Sequence, residues 1–422
     1  MKLVVQVRLL PTPVQARALE LTLRACNEAA TWCSREAFDK GAKRNVELRR
    51  HTYGEVKSRW GLGAQAAQHV IKKTCDAYAT LRVNLRAGNL GRPGSRRYIR
   101  ATERPVVFRS DGAQPYDDRM LSWWMAERRV SLWTVHGRVK DLAFTASPEQ
   151  LAVLARHRKG ESDLVHREGK WYLLATCEVP ESPMNVDPVD FLGIDLGVVN
   201  IATTSDGEIL AGRELNRVRA RERGLRAKLR SKNTPSANRR LKKRRRKEAR
   251  RAKDINHKIA KHVVAEAERT GRGIALEDLT GIRERARLRK PQRATHSSWA
   301  FAQLGHFIAY KARRAGVPVL FVDPAHTSRT CAVCGHCDKA NRVSQARFAC
   351  RSCGFVDHAD RNSSRNIRTK ARKLWRCGAL SAAPVSPPEA GLKQDADGSV
   401  TASDARCASA LPQRRVVDRV NS

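Results

Sequence analysis

Two pairs of cysteines carry the most specific spacing in the chain: Cys331-x2-Cys334, fifteen residues, then Cys350-x2-Cys353. Each pair can sit on one tight turn, and two such turns supply the four thiolates of a tetrahedral zinc site. Gly335 and Gly354 follow the second cysteine of each pair, where the backbone must turn around metal-bound sulfur. His336 and Cys337 lie close by as spare ligands that a closed four-ligand site does not need. Of eleven cysteines, five fall within residues 331–353 and the rest are scattered. A small secreted chain stapled by disulfides would spread them evenly, so the cluster reads as metal binding in a reducing cytosol.

Three acidic residues form the second group. Asp195 lies inside Phe191-Leu192-Gly193-Ile194-Asp195-Leu196-Gly197, an apolar strand pattern. A carboxylate there must be a ligand or be paired. Glu277 ends the strand Ile274-Ala275-Leu276, with Asp278 beside it. Asp360 follows the cysteine cluster at the start of a predicted helix. Singly, each reads as a cap or turn carboxylate. Together they offer hard oxygen ligands from separate elements, as a pair of Mg²⁺ ions roughly 4 Å apart needs to activate water and stabilise a leaving phosphate oxygen. Asp195, Glu277 and Asp360 are therefore the predicted catalytic, magnesium-binding set.

The third group is cationic. Residues 217–253 hold 19 Lys/Arg and two acids, Glu222 and Glu248. A solvated helix normally mixes signs, so phosphate contact is the better reading. The predicted nucleic-acid contacts are Arg239, Arg240, Lys242, Lys243, Arg244, Arg245, Arg246, Lys247, Arg250 and Arg251. Trp123, Trp124 and Trp133 are assigned to core packing rather than base stacking. His257, next to Lys258, reads as a surface contact and not a catalytic base.

Composition agrees. The 422 residues carry 82 Lys/Arg against 42 acids, a net charge of +40. Such charge opposes compaction unless a polyanion neutralises it. An enzyme acting on small neutral substrates is thereby disfavoured. Full disorder is disfavoured by 41% hydrophobic residues. No run of 18 apolar residues argues for a membrane span, and Gln6 and Arg8 break the apolar start, so no signal peptide is expected. Charge spread along the chain favours nucleic acid over anionic lipid.

The positioning elements follow from periodicity. Residues 2–10 alternate as a strand, and Thr12-Pro13 can start a helix over about 14–40. A second helix is predicted at 65–85, then a Gly/Pro/Arg stretch at 89–95. Strand-like runs at 105–108, 129–133, 141–144 and 171–176 predict a small β-barrel or sheet, interrupted by the helical segment. A proline-rich linker spans 180–188. Beyond it, three antiparallel strands are expected around the Asp206-Gly207 turn. Pro235 splits the basic tract into two helices. A helix at 254–270, a strand at 274–277, a helix at 298–315 and a strand at 317–322 then complete a βββ-α-β-α-β order with a closing helix, compatible with ribonuclease H topology. Residues 376–422 read as a disordered tail.

The motifs Gly193-Ile194-Asp195-Leu196-Gly197, Leu276-Glu277-Asp278-Leu279 and Asp360-Arg361-Asn362 with Asn366-Ile367 resemble three split RuvC motifs. The cysteine ribbon, preceded by Thr327-Ser328-Arg329-Thr330, resembles that of the transposon-encoded TnpB family, relatives of compact type V CRISPR effectors. The resemblance covers residues 190–372 strongly. It covers the first half in outline, through Leu9-Leu10-Pro11-Thr12-Pro13. The family often shows Asn-Ala-Ala where this chain has Asn362-Ser363-Ser364, also a small pair. The resemblance implies a multidomain α/β and β chain. A β-barrel wedge-type domain (1–13 and 96–182) would carry a helical recognition insertion (14–95). A RuvC-like nuclease of ribonuclease H fold (186–325 and 355–375) would carry the zinc ribbon (326–354). It implies an RNA-guided DNA endonuclease with two Mg²⁺ ions, a structural Zn²⁺, a guide RNA and a double-stranded DNA target, acting in the prokaryotic cytoplasm at the nucleoid. The basic tract resembles the family's arginine-rich bridge beside the RNA–DNA heteroduplex. A compact CRISPR effector with the same chemistry and a guided, non-cleaving repressor are the alternatives. Retention of all three acids argues against the repressor. An unguided nuclease or transposase would not need nearly 190 residues before the site.

Overall fold

The computed structural model describes residues 1–197, 199–279 and 301–378. The tail from residue 379 and the first residues of the helix predicted from 298 lie outside them. The chain divides into two compact units, at Pro180/Glu181.

In the first unit, strand β1 (Lys2–Leu9) buries Val7 and Leu9 and exposes the residues between. It is central because it pairs along its length with β7 (Lys170–Glu178) and at its end with β5 (Gly137–Thr145). With β2 (Gln114–Tyr116), β3 (Leu121–Trp124), β4 (Arg129–Thr134) and β6 (Arg158–Arg167), they form an antiparallel sheet of order β2-β6-β7-β1-β5-β4-β3. The hydroxyl of Tyr116 in β2 donates to the Trp133 carbonyl of β4 at 3.1 Å, which draws the two ends together into a barrel-like sheet.

Between β1 and β2 run α1 (Pro13–Asp39), α2 (Asn45–Trp60), α3 (Ala64–Arg86) and α4 (Arg96–Thr102); α5 (Pro148–His157) joins β5 to β6. Thr12 caps α1 as predicted, its hydroxyl accepting from the Gln15 N–H at 3.3 Å while Gln15 reaches back. Helices and sheet share one apolar core, with Leu19, Leu23 and Val70 packing among Tyr116, Leu132 and Leu173. The insertion interrupts the β domain in sequence and joins its core in space. Two expectations are corrected. Residues 105–108 form no strand, because the Phe108 N–H donates to the Thr31 hydroxyl of α1 at 3.1 Å. Trp123 and Trp133 pack on the core, but Trp124 is 44% exposed.

The second unit holds a five-stranded sheet of order β10-β9-β8-β11-β12: β8 (Phe191–Asp195), β9 (Asn200–Thr204), β10 (Ile209–Ala211), β11 (Gly273–Glu277) and β12 (Val319–Val322). The first three are antiparallel, and β11 lies parallel to both β8 and β12. Pro235 separates α6 (Arg213–Lys232) from α7 (Pro235–Arg269), and Thr234 caps α7. The separate helix predicted at 254–270 is instead the end of α7, since no proline or glycine interrupts residues 236–269. Helix α8 (Phe301–Ala315) joins α7 on one face of the sheet, where Ile259, Val263, Leu304 and Ile308 meet Leu192, Ile194, Ile274 and Leu276. Helix α9 (Ala359–Arg376) covers the other face, where Ile367 and Ala371 meet Phe191, Ala275 and Val322. No described helix is long and apolar enough to cross a membrane.

Candidate functional site

Strand alternation decides where the acids point. Leu192, Ile194, Ile274 and Leu276 face α7 and α8, so their neighbours Asp195 and Glu277 fall on the α9 face. Ile194 stands in register with Leu276, which sets Asp195 and Glu277 at the carboxyl ends of adjacent parallel strands. Such strand ends are where open α/β sheets place their sites. Asp360 is the second residue of α9 and buried. Helix α9 reaches them because β8 has Gly193: a Cβ there would lie 2.1 Å from the Ser364 carbonyl oxygen. Ser363 and Ser364, both buried, are the small pair that this approach requires.

Neighbours hold two of the three carboxylates. The Thr327 hydroxyl donates to Glu277 Oε1 at 2.6 Å. The Asn200 amide donates to Asp360 Oδ2 at 2.8 Å, and Arg342 pairs with Asp360 Oδ1 at 3.5 Å. Asp195 has no side-chain hydrogen bond or ion pair among the described residues. Burial pushes its carboxyl well above the ordinary range, and the charges of Glu277 and Asp360 push the same way against Arg342. Glu277 is also raised, by burial first, with the Thr327 hydrogen bond, Lys370 and Arg342 opposing. Three like-charged oxygen donors in one place suit a hard divalent cation. Among the described residues, only the four cysteines form a close-set metal-ligand group; the carboxylates are more loosely gathered.

The ligand atoms of Cys331, Cys334, Cys350 and Cys353 all lie within 4.8 Å of one another. Cys331 and Cys353 sulfurs are 3.7 Å apart, and Cys334 and Cys350 sulfurs 3.6 Å. Zn–S bonds of about 2.3 Å in a tetrahedron require about 3.8 Å between sulfurs, so the donor set fits zinc. Two matching turns build it. Gly335 N–H donates to the Cys331 carbonyl and Gly354 N–H to that of Cys350, with both glycines at positive φ, 78° and 72°. The Cys353 N–H points at Cys350 sulfur and is the main cause lowering that thiol to about 6. His336 and Cys337 are outside the cluster.

The ribbon and α9 are bonded to each other. Asn362 accepts from the Ala332 N–H at 2.9 Å and donates to the Thr330 carbonyl at 2.7 Å. Asn366 donates to the Thr327 and Thr330 carbonyls. Inside the ribbon, fully buried Asn341 donates to the Arg329 and His336 carbonyls and accepts from Arg351 N–H. Sequence reasoning missed Asn200, Asn341 and Arg342. Asn200, a polar residue opening an apolar strand, was the one with a visible signal.

The basic tract folds as the pair α6–α7. Its two acids are consumed across the pair: Glu222 accepts from Arg244 at 2.8 Å, and Glu248 pairs with Arg226. Arg244 is thus a clasp between helices. Arg239, Arg240, Lys243, Arg245 and Lys247 are exposed. Lys242 and Arg246 are half-buried, and Arg250 and Arg251 exposed, each with a partner of its own.

Residues 175–280 match a family model described as "Probable transposase", and residues 301–367 match "Cas12f1-like, TNB domain". Among curated relatives, the CRISPR-associated endodeoxyribonuclease Cas12f1 of Sulfoacidibacillus thermotolerans is 31% identical over 225 residues, 49% of this chain and 52% of that protein. The putative RNA-guided DNA endonuclease InsQ of Escherichia coli (strain K12) is 28% identical over 231 residues, 50% and 56% of the two chains. The TnpB-like protein MJ0751 of Methanocaldococcus jannaschii is 35% identical over 129 residues, 30% and 46%. The chain spans about half the length of the curated relatives it matches. A cryo-EM structure of a Cas12f1–sgRNA–target DNA complex aligns with a TM-score of 0.50 at 16% identity, over 83% of this chain and 82% of that one, a likeness of fold. These matches bear out the resemblance to the TnpB family.

Proposed function

We propose that this chain is an RNA-guided DNA endonuclease of TnpB type, hydrolysing phosphodiesters in a single RuvC-like site of ribonuclease H fold. The observation that carries the proposal is Asp195, Glu277 and Asp360 gathered from β8, β11 and α9 on one face of a sheet, in a chain at +40. These carboxylates would hold two Mg²⁺ ions, which supply an activated water and a counter-charge for the leaving oxygen. Thr327 fixes the rotamer of Glu277, and Asn200 that of Asp360. Arg342 offsets part of the repulsion among the acids. The four cysteines would hold a structural Zn²⁺ that braces the start of α9. The exposed cations of α7 would track phosphates of guide RNA and target DNA, which sets grip rather than sequence choice. A compact CRISPR effector would use the same residues in the same roles.

The test is Asp195→Ala in protein carrying its copurified RNA. Cleavage of matched DNA in Mg²⁺ should be abolished while guided DNA binding stays near the wild-type value. Undiminished cutting would refute the assignment.

A further inference from the structure

We propose that a cationic ridge along α7, widened by Lys311 and Arg314 of α8, holds the RNA strand of the complex on the face of the sheet away from the carboxylates. The proposal rests on the RNA-guided reading above and extends the tract at 217–253 through His257 and Lys261 to Lys311 and Arg314 of α8. Because α7 is one unbroken helix, positions far apart in sequence share a side. At about 100° per residue, Arg239, Lys243, Lys253, His257 and Lys261 fall within about 80° of one another. Between Arg239 and Lys261 the helix rises about 33 Å, enough to run beside several phosphates.

Helix α8 extends the ridge sideways. His257 stacks on Phe307 with centroids 3.9 Å apart, and the Tyr310 hydroxyl lies 3.5 Å from His257 Nδ1. This seam brings Lys311 beside Lys261, with Arg314 three residues further along α8: Lys311, already disfavoured as a cation by burial, feels both charges. Among the described residues, Lys253, Lys261, Lys311 and Arg314 make no ion pair with an acid. The nearby acid Asp254 is taken by Lys258 at 3.0 Å. Like charges set side by side without a counter-ion cost stability, unless a polyanion supplies the opposite sign. The position then says which strand. Helices α7 and α8 cover one face of the sheet, and the carboxylates lie on the α9 face. A strand on the ridge is held where it cannot be cut, as an RNA that outlasts each reaction must be.

The experiment uses the full chain freed of copurified nucleic acid. A labelled oligoadenylate RNA and a labelled DNA duplex are titrated by anisotropy over a range of KCl. Lys253→Gln, Lys261→Gln, Lys311→Gln and Arg314→Gln together should weaken RNA binding at least about tenfold near physiological salt. The log–log salt slope should flatten by about 3, from four cations at roughly 0.7 each on a single strand. Unchanged RNA affinity and slope would overturn the proposal. So would a loss confined to the duplex, which would make the ridge a DNA surface. If the fourfold variant melts earlier than wild type, the variant Lys253→Gln, Lys261→Gln, Arg314→Gln, which alters only exposed side chains, decides. Weaker RNA binding with a slope flatter by about 2 supports the ridge, and unchanged affinity and slope overturn it. None of these readouts needs cleavage, so they stand apart from the fate of the nuclease assignment.

Discussion

Asp195 is a residue set against its own fold. Its carboxyl is raised by burial first and then by two neighbouring acids, so the folded metal-free protein holds its proton to a higher pH than the unfolded chain does. The sign follows: a group whose pKa is higher folded than unfolded contributes stability below the ordinary carboxylate range, and that contribution is lost as pH rises through the folded value. On going from acid to neutral pH the metal-free protein should therefore lose stability relative to its Asp195→Asn variant, and millimolar Mg²⁺ should restore it. Asp195→Asn removes the penalty without changing shape. It should raise the neutral-pH melting temperature of the metal-free protein by roughly 2–4 °C, the effect of about 1 kcal/mol in a unit of this size, while cleavage is lost. A lower melting temperature by calorimetry would show that the carboxylate is instead satisfied. This residue was legible in the sequence because an acid in an apolar strand has few explanations. Thr327 stood inside a recognised segment, but its bond to Glu277 spans fifty residues and no local pattern encodes it. Arg342 was hidden for the same reason: its charge matters only because the ribbon folds back over the strand ends.

Among the elements, those with strong periodicity or a distinct breaker were legible: β1, α1, α3, the Asp206-Gly207 hairpin and the two cysteine turns. Helix α2 was not. Its buried stripe is Leu48, Thr52 and Val56, with a polar residue in the middle that bonds its own backbone at Leu48. The α9 contact was legible only as small residues, whose reason is the carbonyl of Ser364 against Gly193. The wild-type chain should bind one zinc by elemental analysis, and Cys350→Ser should lower that content. Asn362 and Asn366 join the ribbon to the first turns of α9, so this variant should also cut DNA more slowly while keeping most of its nucleic-acid affinity. Full activity without zinc would uncouple ribbon from helix. The basic helices behave differently at neighbouring positions. Arg244→Ala breaks the pair with Glu222 and should cost stability of about 0.5–1 kcal/mol in a melt. Arg245→Ala should leave the melt unchanged and weaken RNA binding. Equal effects of the two on RNA binding would mean that the clasp is also a phosphate contact.

The charge of +40 acts on the whole molecule, and on the proposed reading it acts with opposite signs in the free and RNA-bound states. In the free protein it is self-repulsion. The acids Glu222, Glu248 and Asp254 are already spent on partners inside the basic helices, and cations such as Lys261, Lys311 and Arg314 crowd one another. Salt screens repulsion over about 10 Å at 0.1 M, so raising KCl should stabilise the RNA-free chain and move its melting temperature up. In the proposed RNA complex the same cations would be neutralised by phosphate, and binding would contribute to stability in proportion to the logarithm of affinity. Salt weakens that affinity steeply, because each phosphate contact releases counterions when it forms. The melting temperature of the complex should therefore fall with KCl, and the two curves should converge at high salt, where RNA no longer binds. Thermal melts of the chain with and without its RNA, across one salt series, check this directly. Parallel curves would mean that the charge is carried by solvated faces and that RNA binding rests on uncharged contacts.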